Sequence, residues 1–176
     1  MSKQRKQVYI GLGANLGEKL SHLQWAVRQL IDHEGIEDLD YSPVYESEAH
    51  VLDKGEAQPA YLNAVVGFQT EILPMHLLRM ANMLEKRRGR NRRKEARWAS
   101  RTLDIDILVY GEEVVESSVL RIPHRRIAER RFVLVPWHDI APGHFLPAPF
   151  NKTVQELLEQ CPDKSELTKT SHNLLD

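Results

Sequence analysis

Two hydrophobic periods alternate along this chain, and the switches between them mark its elements. Val8, Ile10 and Leu12 recur at every second position, the period of a strand with one buried face. Gly11 and Gly13 strip the opposite face of side chains, which in a strand often marks close approach of a ligand or another backbone. Asn15-Leu16-Gly17 is turn material. Beyond it Leu20, Leu23, Val27, Leu30 and Ile31 fall at helical spacing and predict a helix over 18–33. Residues 36–46 read as a second strand. The aperiodic stretch 47–59, with Gly55 and Pro59, reads as a loop of a length that in compact domains is functional or disordered. Tyr61–Thr70 gives the clearest strand pattern: Leu62, Ala64, Val66 and Phe68 share one face, Tyr61 and Asn63 the other. Pro74 suits the first turn of a helix whose stripe is Leu77, Met80, Ala81 and Leu84, and Gly89 ends it.

Leu103, Ile105 and Ile107 then alternate with Asp104 and Asp106 in one more strand. Short apolar pieces at 114–115 and 120–121 suggest a hairpin after Gly111. Ile122-Pro123-His124 leads through the charged segment 125–131 to an apolar helix over 132–140, and a last short helix is expected over 153–159. Up to Tyr110 the order is β-α-β-β-α-β, the ferredoxin-like pattern. The expected fold class is therefore α+β: a ferredoxin-like βαββαβ core with a mainly antiparallel sheet, and extra C-terminal helices to cover part of its other face. Without internal repeats or a low-complexity linker, residues 1–176 read as a single domain. Its compact core is expected at about 8–160, followed by a frayed polar tail at about 163–176.

Composition narrows the function classes. Apolar residues make up 41% and charged residues 28%, an ordinary globular balance, and the formal net charge is −1. A chain so nearly neutral has no broad field to attract nucleic acid or a membrane surface. No apolar run approaches membrane-spanning length. The lone cysteine, Cys161, excludes an internal disulfide framework and argues against a cysteine zinc site. The N-terminal MSKQRKQ runs directly into strand-like sequence and not into a signal-peptide core, so the expected location is cytoplasmic. A monomer is expected.

Against this neutral background, one stretch is strongly cationic. Lys or Arg stands at 86, 87, 88, 90, 92, 93, 94, 97 and 101, with Glu95 alone opposing them. Directly after it, Asp104 and Asp106 point to the same side of a strand whose other side is apolar. Each feature by itself has a plain reading, a solvated loop and a polar strand face. Together they suit a polyphosphate: hard cations such as magnesium bind one or two carboxylates together with substrate phosphates, and arginine forks fit phosphate oxygens. Tyr61 and Asn63, side by side off the core face, suit a flat polar heterocycle. On residues alone two other classes remain open. One is a ferredoxin-like RNA-binding module using the basic loop, although no aromatic-rich RNA-binding strand is present. The other is a metal-dependent nuclease or phosphohydrolase using the same acids and arginines.

The run Arg97-Trp98-Ala99-Ser100-Arg101-Thr102-Leu103-Asp104-Ile105-Asp106 resembles the signature of 6-hydroxymethyl-7,8-dihydropterin pyrophosphokinases, enzymes of folate biosynthesis. The resemblance extends through residues 9–17, through 61–65, through Ile122-Pro123-His124, and to Arg130 with Phe132. It implies ATP-dependent diphosphokinase activity: transfer of the β,γ-pyrophosphoryl group of ATP to the pterin hydroxymethyl oxygen, with release of AMP. It implies that Asp104 and Asp106 hold two magnesium ions, and that Tyr61, Asn63, Trp98 and Phe132 form the pterin pocket. Arg90 and Arg101 match phosphate-clamping arginines of catalysis. Glu85, Arg92, Arg97, His124 and Arg130 match positions around the ATP. The small-molecule substrates are then ATP and the pterin, with no nucleic acid and no membrane partner. Two departures stand out: residues 47–59 lack the Pro-Leu-Gly run common in the family after Tyr45, and the basic loop 90–97 is one residue longer than in some relatives.

Overall fold

The computed structural model describes residues 4–48, 59–89 and 102–176. Strand β1 (Lys6–Ala14) leads into helix α1 (Lys19–Ile31), then β2 (Ile36–Tyr41), β3 (Tyr45–Ser47) and β4 (Tyr61–Thr70). Helix α2 (Pro74–Arg87) follows, then β5 (Asp104–Tyr110) and the small pair β6 (Val115–Glu116) and β7 (Arg121–Ile122). A 3-10 turn (Ile127–Glu129) precedes α3 (Arg131–Ile140). A second small pair, β8 (Phe145–Leu146) with β9 (Lys152–Thr153), leads to α4 (Val154–Glu159) and finally β10 (Leu167–Lys169). The main sheet is antiparallel, in the order β10-β3-β4-β1-β5, with β2 also on β4. This is the ferredoxin-like α+β arrangement that the pattern predicts.

The two faces of the sheet are used differently. Ile10, Leu12, Leu62, Ala64, Val66, Phe68, Ile105 and Ile107 turn to the face covered by α1 and α2, where Leu23, Val27, Leu30, Leu77 and Leu84 complete a core. On the other face, Val65, Leu108 and Val109 pack with Val133, Leu134 and Trp137 of α3 and with Val154 and Leu157 of α4. Only part of that second face is covered, as expected of the C-terminal helices. The uncovered part is where Gly11, Gly13, Asn63, Asp104 and Asp106 come to the surface.

An irregularity in β5 makes this division possible. Against β1, Asp104, Ile105, Asp106 and Ile107 pair with Gly13, Leu12, Gly11 and Ile10. Val109 then pairs with Tyr9 and Tyr110 with Val8, so Leu108 is one residue extra. A bulge of this kind bends the strand and resets its alternation. It lets Asp104 and Asp106 share a face with Val109, while Tyr110 turns back into the first core. The Leu108 carbonyl accepts a hydrogen bond from the His124 backbone N–H at 2.9 Å, so the segment after β7 is tied to the bulge.

Two expectations need correction. The strand expected over 36–46 is two strands, because Pro43 carries no ladder donor and Ser42 turns inward, its Oγ accepting from Val65 N at 2.9 Å. The tail expected to fray from 163 is ordered. β10 pairs with β3, Thr170 Oγ1 donates to Val44 O, and Leu174 is fully buried in the first core. Arg28 and Gln24 of α1 hold the carbonyls of Asp176 and Asn173. One apolar side chain and a few backbone partners were enough to dock a stretch with no periodic signal.

Candidate active site

The open part of the second face is the floor of a groove of about 310 Å³. Its floor is made by the glycines of β1, and its walls by side chains from four directions. From β4 come Tyr61 and Asn63, from β5 Asp104 and Asp106, from the segment after β7 His124, and from the start of α3 Phe132 with Arg130 just before it. A Cβ at Gly13 would stand 3.6 Å from Asn63 Oδ1 and 3.9 Å from the Tyr61 ring, so any larger side chain there would occupy the space between these two walls. Seven of the residues expected at a functional site therefore meet here: Tyr61, Asn63, Asp104, Asp106, His124, Arg130 and Phe132. Arg90, Arg92, Arg97, Trp98 and Arg101 lie outside the described residues.

The groove has a polar, charged end. Arg130 Nη1 donates to Asp106 Oδ2 at 3.1 Å. Asp106 nevertheless has its pKa pushed up, first by burial and then by the negative charge of Asp104, with Arg130 offsetting only part of this. Two carboxylates crowded on one strand face favour a proton or a cation between them. The Arg130 guanidinium also lies 5.7 Å from the centre of the Phe132 ring, within cation–π range, and so ties the charged end to the aromatic one.

His124 is held neutral. Burial lowers its pKa to about 4, and the positive charges of Arg130, Arg125 and Arg126 work in the same direction against Asp104. Its Nδ1 accepts from the Arg126 backbone N–H at 3.2 Å, which leaves Nε2–H as the donor of the ring. In this state His124 can donate a hydrogen bond to an anion, but it is a poor proton acceptor at neutral pH.

Glu85 does not line this groove. It sits on the buried stripe of α2, 2% exposed, and its Oε1 accepts from the Ile105 backbone N–H at 2.8 Å. It holds the peptide between the two aspartates and adds to the charge that raises Asp106. Asn15, 1% exposed, donates from Nδ2 to Pro59 O, and Lys19 donates to Ala60 O, so both pin the chain as it enters β4.

The groove also gathers residues that the pattern did not single out: Ser47, Glu48, Arg125 and Arg126. The two arginines stand in the charged segment after His124, where adjacency to a site residue was the available signal. Ser47 is buried, and its Oγ accepts from Asn63 Nδ2 at 2.8 Å; a lone serine at the end of a three-residue strand carries no sequence signal.

A family model described as 7,8-dihydro-6-hydroxymethylpterin-pyrophosphokinase (HPPK) matches residues 9–142. A 2-amino-4-hydroxy-6-hydroxymethyldihydropteridine pyrophosphokinase of Bacillus subtilis is 34% identical over 165 residues, covering 94% of this chain and 96% of its own. The folic acid synthesis protein fol1 of Schizosaccharomyces pombe is 36% identical over 93% of this chain, which spans only 21% of that larger protein. Among solved structures, wild-type HPPK-DHPS of Plasmodium falciparum with pteroate superposes with a TM-score of 0.65 at 13% identity. That match covers 91% of this chain and 43% of the other, and at such identity it speaks for the fold. Among the described residues, no helix is long and apolar enough to cross a membrane.

Proposed function

This chain belongs to the 7,8-dihydro-6-hydroxymethylpterin-pyrophosphokinase family, and we propose that the groove between Tyr61 and Arg130 is where it transfers pyrophosphate from ATP to the hydroxymethyl group of the pterin in folate synthesis. The observation that carries this assignment is the meeting of two chemistries in one groove. A flat heterocycle fits between the Tyr61–Asn63 wall and the Phe132 ring, and a polyphosphate fits the end carrying Asp104, Asp106, His124 and Arg130. The acceptor hydroxyl of the pterin and the β-phosphorus of ATP then meet above Asp104 and Asp106. The hydroxymethyl oxygen forms a bond to the β-phosphorus, the bond from that phosphorus to the α,β-bridging oxygen breaks, AMP leaves, and the hydroxyl proton passes to solvent.

In this reading the residues mainly position and neutralise, as phosphoryl chemistry requires. Asn63 reads the polar edge of the pterin, and Tyr61 and Phe132 hold its faces. Trp98 completes that pocket, and Arg90 and Arg101 clamp the transferred phosphates. Arg92, Arg97 and Arg130 bind the nucleotide phosphates or ribose, and His124 donates to them through Nε2. Glu85 supports the site from below through its bond to the Ile105 N–H.

The aspartate pair fits a hard divalent cation. Burial and then the charge of Asp104 lift the Asp106 pKa, and a cation held by these carboxylates would offset that penalty. Two carboxylates together with substrate phosphate oxygens is a donor set that magnesium takes. We assign Asp104 and Asp106 as the residues that would hold two magnesium ions, whose charge would offset that of the phosphates and acidify the acceptor hydroxyl. We take residues 1–176 to form one domain, and the enzyme to be a monomer of the cytoplasm acting on small molecules and not on nucleic acid.

The test is AMP formation from ATP and magnesium, with and without 6-hydroxymethyl-7,8-dihydropterin. AMP that appears only with the pterin supports the assignment. Release of AMP or ADP at the same rate without pterin would replace it with a hydrolase using the same acids.

A further inference from the structure

The wall that faces the heterocycle is set by a side chain outside the sequence motifs. Ser47 ends β3 and pairs with Tyr61 across the ladder, while Asn63 pairs with Tyr45 two residues along, on the same face. Ser47 is 9% and Asn63 4% exposed, and both still reach the groove. Asn63 Nδ2 donates to Ser47 Oγ at 2.8 Å. An amide is almost symmetric in shape, so its hydrogen bonds decide which end faces which way. Here the NH2 end is turned to β3 and its acceptor hydroxyl. The carbonyl Oδ1 is turned to β1, where a Cβ at Gly13 would stand 3.6 Å from it. A nearly dry wall therefore presents an acceptor oxygen to whatever lies over Gly13.

From this geometry we infer that Ser47 is a positioning residue for substrate selection: by taking the amide's NH2 end, it keeps Asn63 Oδ1 facing the groove and makes the site choose heterocycles that present an amino donor there. The inference rests on the pterin reading and deepens it, since the 2-amino group of the pterin is such a donor. Buried polar groups built to pair with a ligand reject an analogue lacking the partner, because the acceptor is then left without a hydrogen bond. β10 supports the arrangement from behind, since Leu167 pairs with Ser47 on the far edge of β3. Ser47 also keeps its own hydroxyl proton to donate, as Oγ is the acceptor in its bond to Asn63.

The experiment measures KM for pterin, KM for ATP and kcat in wild type, Ser47→Ala and Ser47→Thr, with competitive inhibition by the 2-deamino analogue of the pterin. Loss of one buried neutral hydrogen bond predicts a pterin KM about tenfold higher in Ser47→Ala, with a much smaller change in the ATP KM. Ser47→Thr, which keeps the hydroxyl, should restore the wild-type value. Wild type should bind the 2-deamino analogue at least roughly tenfold more weakly than the pterin, and Ser47→Ala should narrow that gap. An unchanged pterin KM in Ser47→Ala overturns the inference. So does an equal rise in both KM values that Ser47→Thr fails to restore, since that is the mark of a merely structural residue. If Ser47→Ala does not fold, wild type still decides: equal binding of pterin and 2-deamino analogue overturns it. Absence of pterin-dependent AMP from wild type would instead sink the pterin reading itself, which separates the two failures.

Discussion

Replacing Glu85 should harm the fold before it harms ATP binding, and the size of the effect follows from its surroundings. Its carboxylate is buried against β5, and Oε1 takes the Ile105 backbone N–H at 2.8 Å. Glu85→Ala removes a hydrogen bond to a charged acceptor, worth about 1.5–3 kcal/mol, and leaves a buried peptide N–H without that partner. Loss of the side-chain methylene next to the core adds roughly another 0.8 kcal/mol. Relief of the repulsion that Glu85 exerts on Asp106 works in the opposite direction. The net expectation is about 3 kcal/mol of destabilisation. Glu85→Gln keeps an acceptor oxygen for Ile105 and removes the charge, so it should lose less than about 1 kcal/mol. Urea unfolding at neutral pH measures both, and with an m-value near about 2 kcal/mol/M the alanine variant should move its midpoint by roughly 1.5 M. The reasoning fails if Glu85→Ala is as stable as wild type, or if the two variants are equally destabilised. A raised ATP KM in Glu85→Gln at unchanged stability would return Glu85 to the nucleotide pocket.

Three further outcomes are expected. Asp104→Asn and Asp106→Asn should each cut turnover by roughly a thousandfold or more while leaving the urea midpoint nearly unchanged, because both point away from the α1–α2 core; unfolding of either would contradict the facing of β5. His124 has a folded-state pKa of about 4 against an ordinary 6.5, so the unfolded chain takes up its proton first. Its contribution is complete above about pH 6.5 and is lost as pH falls toward 4. The loss between pH 7 and 5 should be about 2 kcal/mol, and unfolding of His124→Gln at the two pH values should show a shallower fall, with an equal slope counting against the neutral-histidine geometry. Leu174→Ala should lose about 2–4 kcal/mol in urea unfolding, and a loss below about 0.5 kcal/mol would mean that the tail is not docked.

Much of the fold was legible because the strand residues facing α1 and α2 are apolar at every second position. The recurrence of Val8, Ile10 and Leu12, of Leu62, Ala64, Val66 and Phe68, and of Leu103, Ile105 and Ile107 placed Asn63, Asp104 and Asp106 on the opposite side without any tertiary information. The bounds of α2 followed from Pro74 and from Gly89, which adopts φ +87° just past the helix end. What escaped depends on contacts distant in sequence. The C-terminal tail docks through α1 and β3, and Ser47 matters only because Asn63 lies across the ladder from its strand. Glu85 is an intermediate case. It falls eight positions after Leu77, on the same helical stripe as Ala81 and Leu84, so its burial could have been read from phase.

The extra residue at Leu108 has an evolutionary reading. A regular strand gives all its even positions to one face, so insertion or deletion of a residue exchanges the faces of everything beyond it. Deleting Leu108 would force a choice between losing Tyr110 from the core, where its hydroxyl also donates to Ile72 O, and swinging Asp104 and Asp106 inward. The segment from Asp104 to Tyr110 can therefore drift in residue identity but not in length. Across homologues, alignment gaps should accumulate in the flanking loops and stay out of these seven positions.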